Sequence, residues 1–255
     1  MNDQDLKQFL DKQASRFDCA DFVCGDPIEV PHRFCNPDDI AIAGFLASTI
    51  AWGQRKSIVK SAHQLINWMD GSPSDFVRNC TDRDLEPFNR FVYRTFNGTD
   101  CVSFLKSLRN ICQNHGGLEK VFADGFASTQ SVYGALTHFY NVFFEIDHLH
   151  RTEKHLANPE KGSASKRMNM FLRWMVRQSG TGVDFGIWKC IPQSALCIPL
   201  DVHVGNVSRQ LGLLSRKQND WKAVEELTAN LRQFCPEDPV KYDFALFSLG
   251  VNGEM

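Results

Sequence analysis

The stretch Ile40–Trp52, IAIAGFLASTIAW, offers almost no polar side to a helix wound through it. A helix that is apolar all round has to be enclosed by other elements rather than laid on a surface. It falls short of the ~20 residues that a membrane-spanning helix needs, and no other stretch is continuously apolar over such a length. The run is therefore predicted to be the buried central helix of a soluble fold. Asp38 and Asp39 precede it, where an N-cap and a first turn favour acids.

Such a helix needs a shell, and the rest of the chain supplies amphipathic candidates. Residues 3–17 set Leu6, Phe9, Leu10 and Phe17 at helical spacing among charges. Ile58, Leu65, Ile66 and Met69 form one stripe that Gly71-Ser72-Pro73 should end. CVSFLKSLRNICQNHGG repeats the pattern up to Gly116-Gly117, and SVYGALTHFYNVFFEI predicts another helix. The polar stretch 147–165 reads as the main loop of the chain, and KRMNMFLRWMVRQ restarts a helix after it. Helices over 201–213, 221–234 and 239–250 close the chain, the last two started by Asp220 and by Asp238-Pro239. No segment alternates as a half-buried strand would, so the expected class is all-α.

The chain has 255 residues, 43% of them hydrophobic, which predicts one globular unit over 1–255. With 28 Lys and Arg against 30 Asp and Glu, affinity for nucleic acid would have to come from a local basic face. The nine cysteines are odd in number, and their close pairs lack the two-residue gap of zinc or redox motifs. Reduced thiols, no metal site and a cytoplasmic location are therefore expected, in keeping with a charged amino terminus that lacks an apolar signal core.

Two acid–base groups stand out. Lys166 opens its helix after Gly162-Ser163-Ala164-Ser165, a run of small residues whose backbone N–H groups could hold a phosphate. A lysine there is a counter-ion, or an amine nucleophile if desolvated, and equally an ordinary solvated side chain. Asp201, in IPLDVHVGNVSRQLGL, sits where an apolar segment turns into a helix. It reads as an N-cap, and a capped carboxylate beside an apolar cleft is also placed to stabilise a cation or handle a proton.

GSASKRMNMFLRWMV followed by IPLDVHVGNVSRQLGL resembles the helix-hairpin-helix superfamily of base-excision DNA glycosylases, and its Asp-Val-His form is most similar to the 8-oxoguanine branch. The resemblance implies a two-lobed helical fold with a cleft, the second lobe spanning roughly 58–165 and the N-terminal helices packing with those of 166–255. It implies removal of an oxidised purine flipped out of damaged duplex DNA, with no cofactor. Only Cys235 lies beyond Asp201, so the four-cysteine iron–sulfur cluster of some members is not expected, and with no long apolar run neither is a membrane. Lys166 matches the lysine that attacks the sugar C1′ as a Schiff-base nucleophile, and Asp201 the aspartate that supports departure of the base. Gly162, Ser163, Ala164, Ser165, Arg167 and His203 match DNA-contacting positions, and Gln54 and Arg55 match residues that enter the duplex. Asp243 matches a reader of the base edge and Phe247 an aromatic stacked on the base one turn later. A carboxylate there could accept the two neighbouring donors of guanine. Trp52, Trp174, Phe185 and Trp188 are candidates to wall the base pocket, and core packing is the plainer role for each aromatic.

Ala164 stands where that superfamily has its second glycine, and alanine resists a positive φ, so this turn is expected to differ. The pattern RWMVR, VDFGIW, PLDVH, DPVKYDFALF is also similar to a family of uncharacterised bacterial proteins. A binding module of the same fold, holding a nucleic acid or a modified nucleotide without cleaving it, is the alternative function.

Overall fold

The computed structural model describes residues 2–254. Its α-helices are α1 (Asp3–Phe17), α2 (Pro37–Thr49), α3 (Arg55–Asn67), α4 (Pro73–Asn79), α5 (Gly98–Asn114), α6 (Leu118–Thr129), α7 (Val132–Phe143), α8 (Lys166–Val176), α9 (Val202–Gln210), α10 (Trp221–Phe234) and α11 (Tyr242–Asn252). A two-residue antiparallel ladder, β1 (Val92–Tyr93) with β2 (Phe96–Asn97), is the sheet content among the described residues. The class is all-α. The chain forms two compact units, one of residues 25–157 and one in which the amino-terminal residues through Cys24 join Asn158 onward.

In the 25–157 unit, α2 is the central helix that its composition demands, with every residue from Ile40 to Thr49 buried. Phe45 meets Phe139 and Phe143 at 5.5 Å between ring centroids and Phe104 at 6.3 Å, so α2, α5 and α7 share one aromatic core. The cap of α2 is Asn36 rather than Asp38: Asn36 Oδ1 accepts from the backbone N–H groups of Asp38 (2.8 Å) and Asp39 (3.4 Å). Pro37 takes the first helical position, which its fixed φ and missing N–H suit, so both aspartates fall in the first turn.

Proline has the same effect at Pro73, which starts α4 instead of only ending α3. The helix α6 has no counterpart in the sequence reading. Its apolar stripe is broken by Gly125, where a Cβ would lie 2.9 Å from Ala135 Cα, so the glycine is what lets α6 and α7 close on each other. The polar segment from 147 is less solvated than its composition suggests. It contains the 3₁₀ turn His150–His155, and Thr152, His155 and Leu156 are buried. Thr152 donates to the buried Asp100 carboxylate at 3.0 Å, and Arg151 donates to it at 3.1 Å.

The other unit is organised around α11, a second helix buried on nearly every side. Against it lies α1, tied by Tyr242 Oη donating to Asp11 (2.9 Å) and by Lys241 Nζ 2.8 Å from the same carboxylate. On the other side α9 crosses α11 at Gly250, where a Cβ would stand 2.9 Å from His203 Cβ. Asp238, expected as a helix cap, makes no capping bond: a 3₁₀ turn Pro239–Lys241 leads into α11, and the Asp238 carboxylate turns instead to Arg177.

Candidate active site

The hairpin before α8 is held from both flanks. Gly162 O accepts from Trp221 N–H at 3.1 Å, Ser163 pairs with Asp220 in an isolated bridge, and Asn169 Nδ2 donates to Ala164 O at 3.1 Å. Left-handed backbone falls at Gly162 (φ +80°) and at Ser165 (φ +47°), not at Ala164. The alanine thus keeps an ordinary conformation, and the second turn position is the residue just before Lys166. A non-glycine residue held left-handed costs about 1–2 kcal/mol and persists only where its surroundings fix it.

Lys166 is the first residue of α8, and its amine emerges from this fixed turn. Nζ lies 3.8 Å from Asp201 Oδ2 and 5.5 Å from the centroid of the Phe247 ring, and it donates to Met170 Sδ at 3.4 Å. Asp201 is the N-cap of α9: Oδ1 accepts from Val204 N–H at 3.0 Å, and its own carbonyl accepts from Asn219 Nδ2 at 3.1 Å. Capping therefore orients the carboxylate and leaves Oδ2 turned to the lysine. Exposed His203, in the first turn of α9, sets its ring edge-on to Phe247 at 6.3 Å.

Asp243 departs from expectation. Its carboxylate does not keep both oxygens for the two donors of guanine. It is 6% exposed, and Oδ2 accepts a short hydrogen bond from Arg173 Nη1. Burial pushes its carboxyl up to about 6, with Arg173 and Lys166 pulling the other way. Arg173 also lies 3.3 Å from Asp184, and Arg177, one turn on, reaches Asp184 (3.0 Å), Asp238 (2.9 Å) and Asp18 (2.9 Å). The Phe244 ring lies against both guanidiniums, at 4.3 and 5.2 Å. This ionic core escaped the sequence reading. Its signal was two arginines four apart on the stripe of an otherwise apolar helix, RMNMFLRWMVR, a place where a charge survives only if it is paired.

The remaining candidates are dispersed. Trp174 is fully buried and Trp188, 3% exposed, stands edge-on to Phe171 at 5.3 Å, so both pack in the core. Phe185 is half-buried and donates its backbone N–H to Trp174 O at 2.8 Å. Arg167 is half-buried beside Lys166. Trp52, Gln54 and Arg55 belong to the 25–157 unit. There Trp52 stands edge-on to Tyr93 at 5.2 Å, exposed Gln54 precedes α3 without a side-chain capping bond, and Arg55 lies 3.7 Å from Asp26.

Among the described residues no cluster of three or more His, Cys, Asp or Glu side chains could hold a metal, and the cysteines are free thiols. Among the described residues no helix is long and apolar enough to cross a membrane.

A family model matches residues 26–252, a span that takes in Lys166, Asp201, Asp243 and Phe247. The chain belongs to the family described as Protein of unknown function (DUF2400). No curated protein and no solved structure matches it. Membership in this family assigns no reaction to the Lys166–Asp201 pair, so any function has to be argued from the pair itself.

Proposed function

We propose that the chain is a DNA glycosylase with an associated lyase step, acting on an oxidised purine flipped out of damaged duplex DNA. The observation that carries this reading is the approach of Lys166 Nζ to Asp201 Oδ2, at 3.8 Å, between the starts of two helices far apart in sequence. The resemblance of the hairpin and the PLDVH segment to helix-hairpin-helix glycosylases gives each group its part. As the glycosidic bond lengthens, C1′ gains positive charge, and a carboxylate pinned by capping stabilises that charge without having to reorganise. The lysine amine, once it has given a proton to solvent, bonds to C1′; as the C1′–O4′ bond opens O4′ takes up a proton and the nitrogen sheds one, and the resulting imine permits strand cleavage by β-elimination. The Phe247 ring offers a stacking face next to the amine, and exposed His203 a contact for phosphate. With a net charge of −2, duplex affinity rests on local contacts such as the hairpin Gly162–Ser165 and Arg167.

Borohydride reduction in the presence of an 8-oxoguanine duplex is expected to fix the protein to DNA, and Lys166→Gln to abolish the adduct. Salt-sensitive duplex binding with no adduct on any lesion would point instead to a binding module.

A further inference from the structure

The helix α3, RKSIVKSAHQLIN, holds no acid over its 13 residues. Ile58, Ala62, Leu65 and Ile66 turn inward, and Lys56, Lys60 and Gln64 follow one another at four-residue steps on the exposed side. Two further cations are brought to the same face by contacts. Exposed Arg33 donates to His63 Nδ1 at 3.0 Å, and exposed Arg94, on the β1–β2 turn, lays its guanidinium over Gly53, where a Cβ would collide with Nη1.

The acids at this face are already engaged. Asp26 lies 3.7 Å from Arg55, and Glu29 accepts from His63 Nε2 at 3.3 Å. Among the described residues Lys56, Lys60 and Arg94 form no ion pair. Elsewhere on the 25–157 unit Arg78, Lys106, Arg109, Lys120 and Arg151 each stand within 3.1 Å of an acid. The α3 face is therefore poorly arranged for its own stability, since Lys56 and Lys60 repel across one helical turn. In a chain of net charge −2 it is a local positive field that an anionic partner would relieve.

Spacing and neighbours indicate which anion. Four helical residues rise about 6 Å, and each strand of a duplex carries a phosphate about every 3.4 Å along its axis, so Lys56 and Lys60 span about two phosphates of one strand. Beside Gly53, half-buried Trp52 has its ring fixed by Tyr93, edge-on at 5.2 Å, and by His155, stacked at 6.0 Å. A row of cations that ends at a fixed aromatic matches a polymer carrying both phosphates and bases, where an acidic peptide or a lipid headgroup would use the cations alone.

We propose that the outer face of α3, through Lys56, Lys60 and Arg94, binds the phosphodiester backbone of duplex DNA. The choice of a duplex rests on the glycosylase reading, and the contact itself requires no reaction. None of the three residues is among those that the resemblance to glycosylases matches.

The test is equilibrium binding of a fluorescent undamaged duplex, followed by anisotropy between about 50 and 200 mM salt. Lys56→Gln, Lys60→Gln and Arg94→Gln are each expected to lower the slope of log affinity against log salt by about 0.9, with the largest loss of affinity at low salt. All three side chains are exposed, so the variants should unfold at the native midpoint. Lys120→Gln removes the same charge from a lysine held 2.5 Å from Asp124 and should leave the slope as it is. Native slopes in the three α3-face variants, an equal fall in Lys120→Gln, or tighter binding of the native protein to phosphatidylserine vesicles or polyglutamate than to the duplex would each overturn the proposal. Borohydride trapping by the native protein with unchanged slopes overturns the α3 contact alone. Lowered slopes in a protein that never traps overturn the glycosylase reading and leave the contact standing.

Discussion

Replacing Asp243 by Asn removes one titrating group from a buried ionic core while keeping its shape, and the consequence for stability can be worked through with its sign. Burial holds the native carboxyl at about 6, against ~3.9 in an unfolded chain. A group whose folded value is raised contributes stability that is fully present below the unfolded value and is lost as pH rises through the folded one. Two units correspond to about 3 kcal/mol. The stability of the native protein minus that of Asp243→Asn should therefore grow by about 3 kcal/mol as pH falls from ~7 to ~4, and then level off. Carboxylates remote from the Arg173–Arg177 core cancel in this difference because both proteins carry them in the same surroundings. Urea unfolding at successive pH values measures it directly, read from midpoints at constant slope. A difference that does not change with pH would refute the argument, because the carboxyl would then not be raised. A difference that shrinks on acidification would mean that Arg173 dominates and holds Asp243 ionised.

Two further outcomes follow from the packing of the same unit. Arg177→Met strands Asp18, Asp184 and Asp238 without their shared cation, and since Arg177 is 3% exposed the loss should be about 3–5 kcal/mol in chemical unfolding. Gly250→Ala puts a methyl group 2.9 Å from His203 Cβ. It should cost about 1–3 kcal/mol through overpacking of α9 on α11, and it should weaken duplex binding if His203 contacts phosphate.

The helical class was legible because α2 can be nothing but an enclosed helix, and because the stripes of α1, α3 and α5 repeat with one period. Reading α4 and α6 required more than periodicity. Pro73 is a stop signal for one helix and a start signal for the next, and Gly125 removes an apolar side chain just where two helices touch. Caps were misplaced for a related reason: an acid before a helix satisfies the rule in sequence, yet Asn36 reached the free N–H groups of α2 first, and Asp238 was claimed by an arginine from another helix. Lys166 and Asp201 could be picked out by residue type and by their positions at helix starts. Their approach, and the arginines behind Asp243, depend on how α8, α9 and α11 pack, which no local pattern records.

In the proposed reaction Lys166 forms the bond to DNA. Trapping the native protein on an 8-oxoguanine duplex with borohydride, digesting the adduct and locating the added mass by mass spectrometry tests it most directly. The expected result is a sugar-phosphate remnant on the peptide that carries Lys166 and no adduct with Lys166→Gln. Absence of trapping, or a remnant on any other residue, would contradict it.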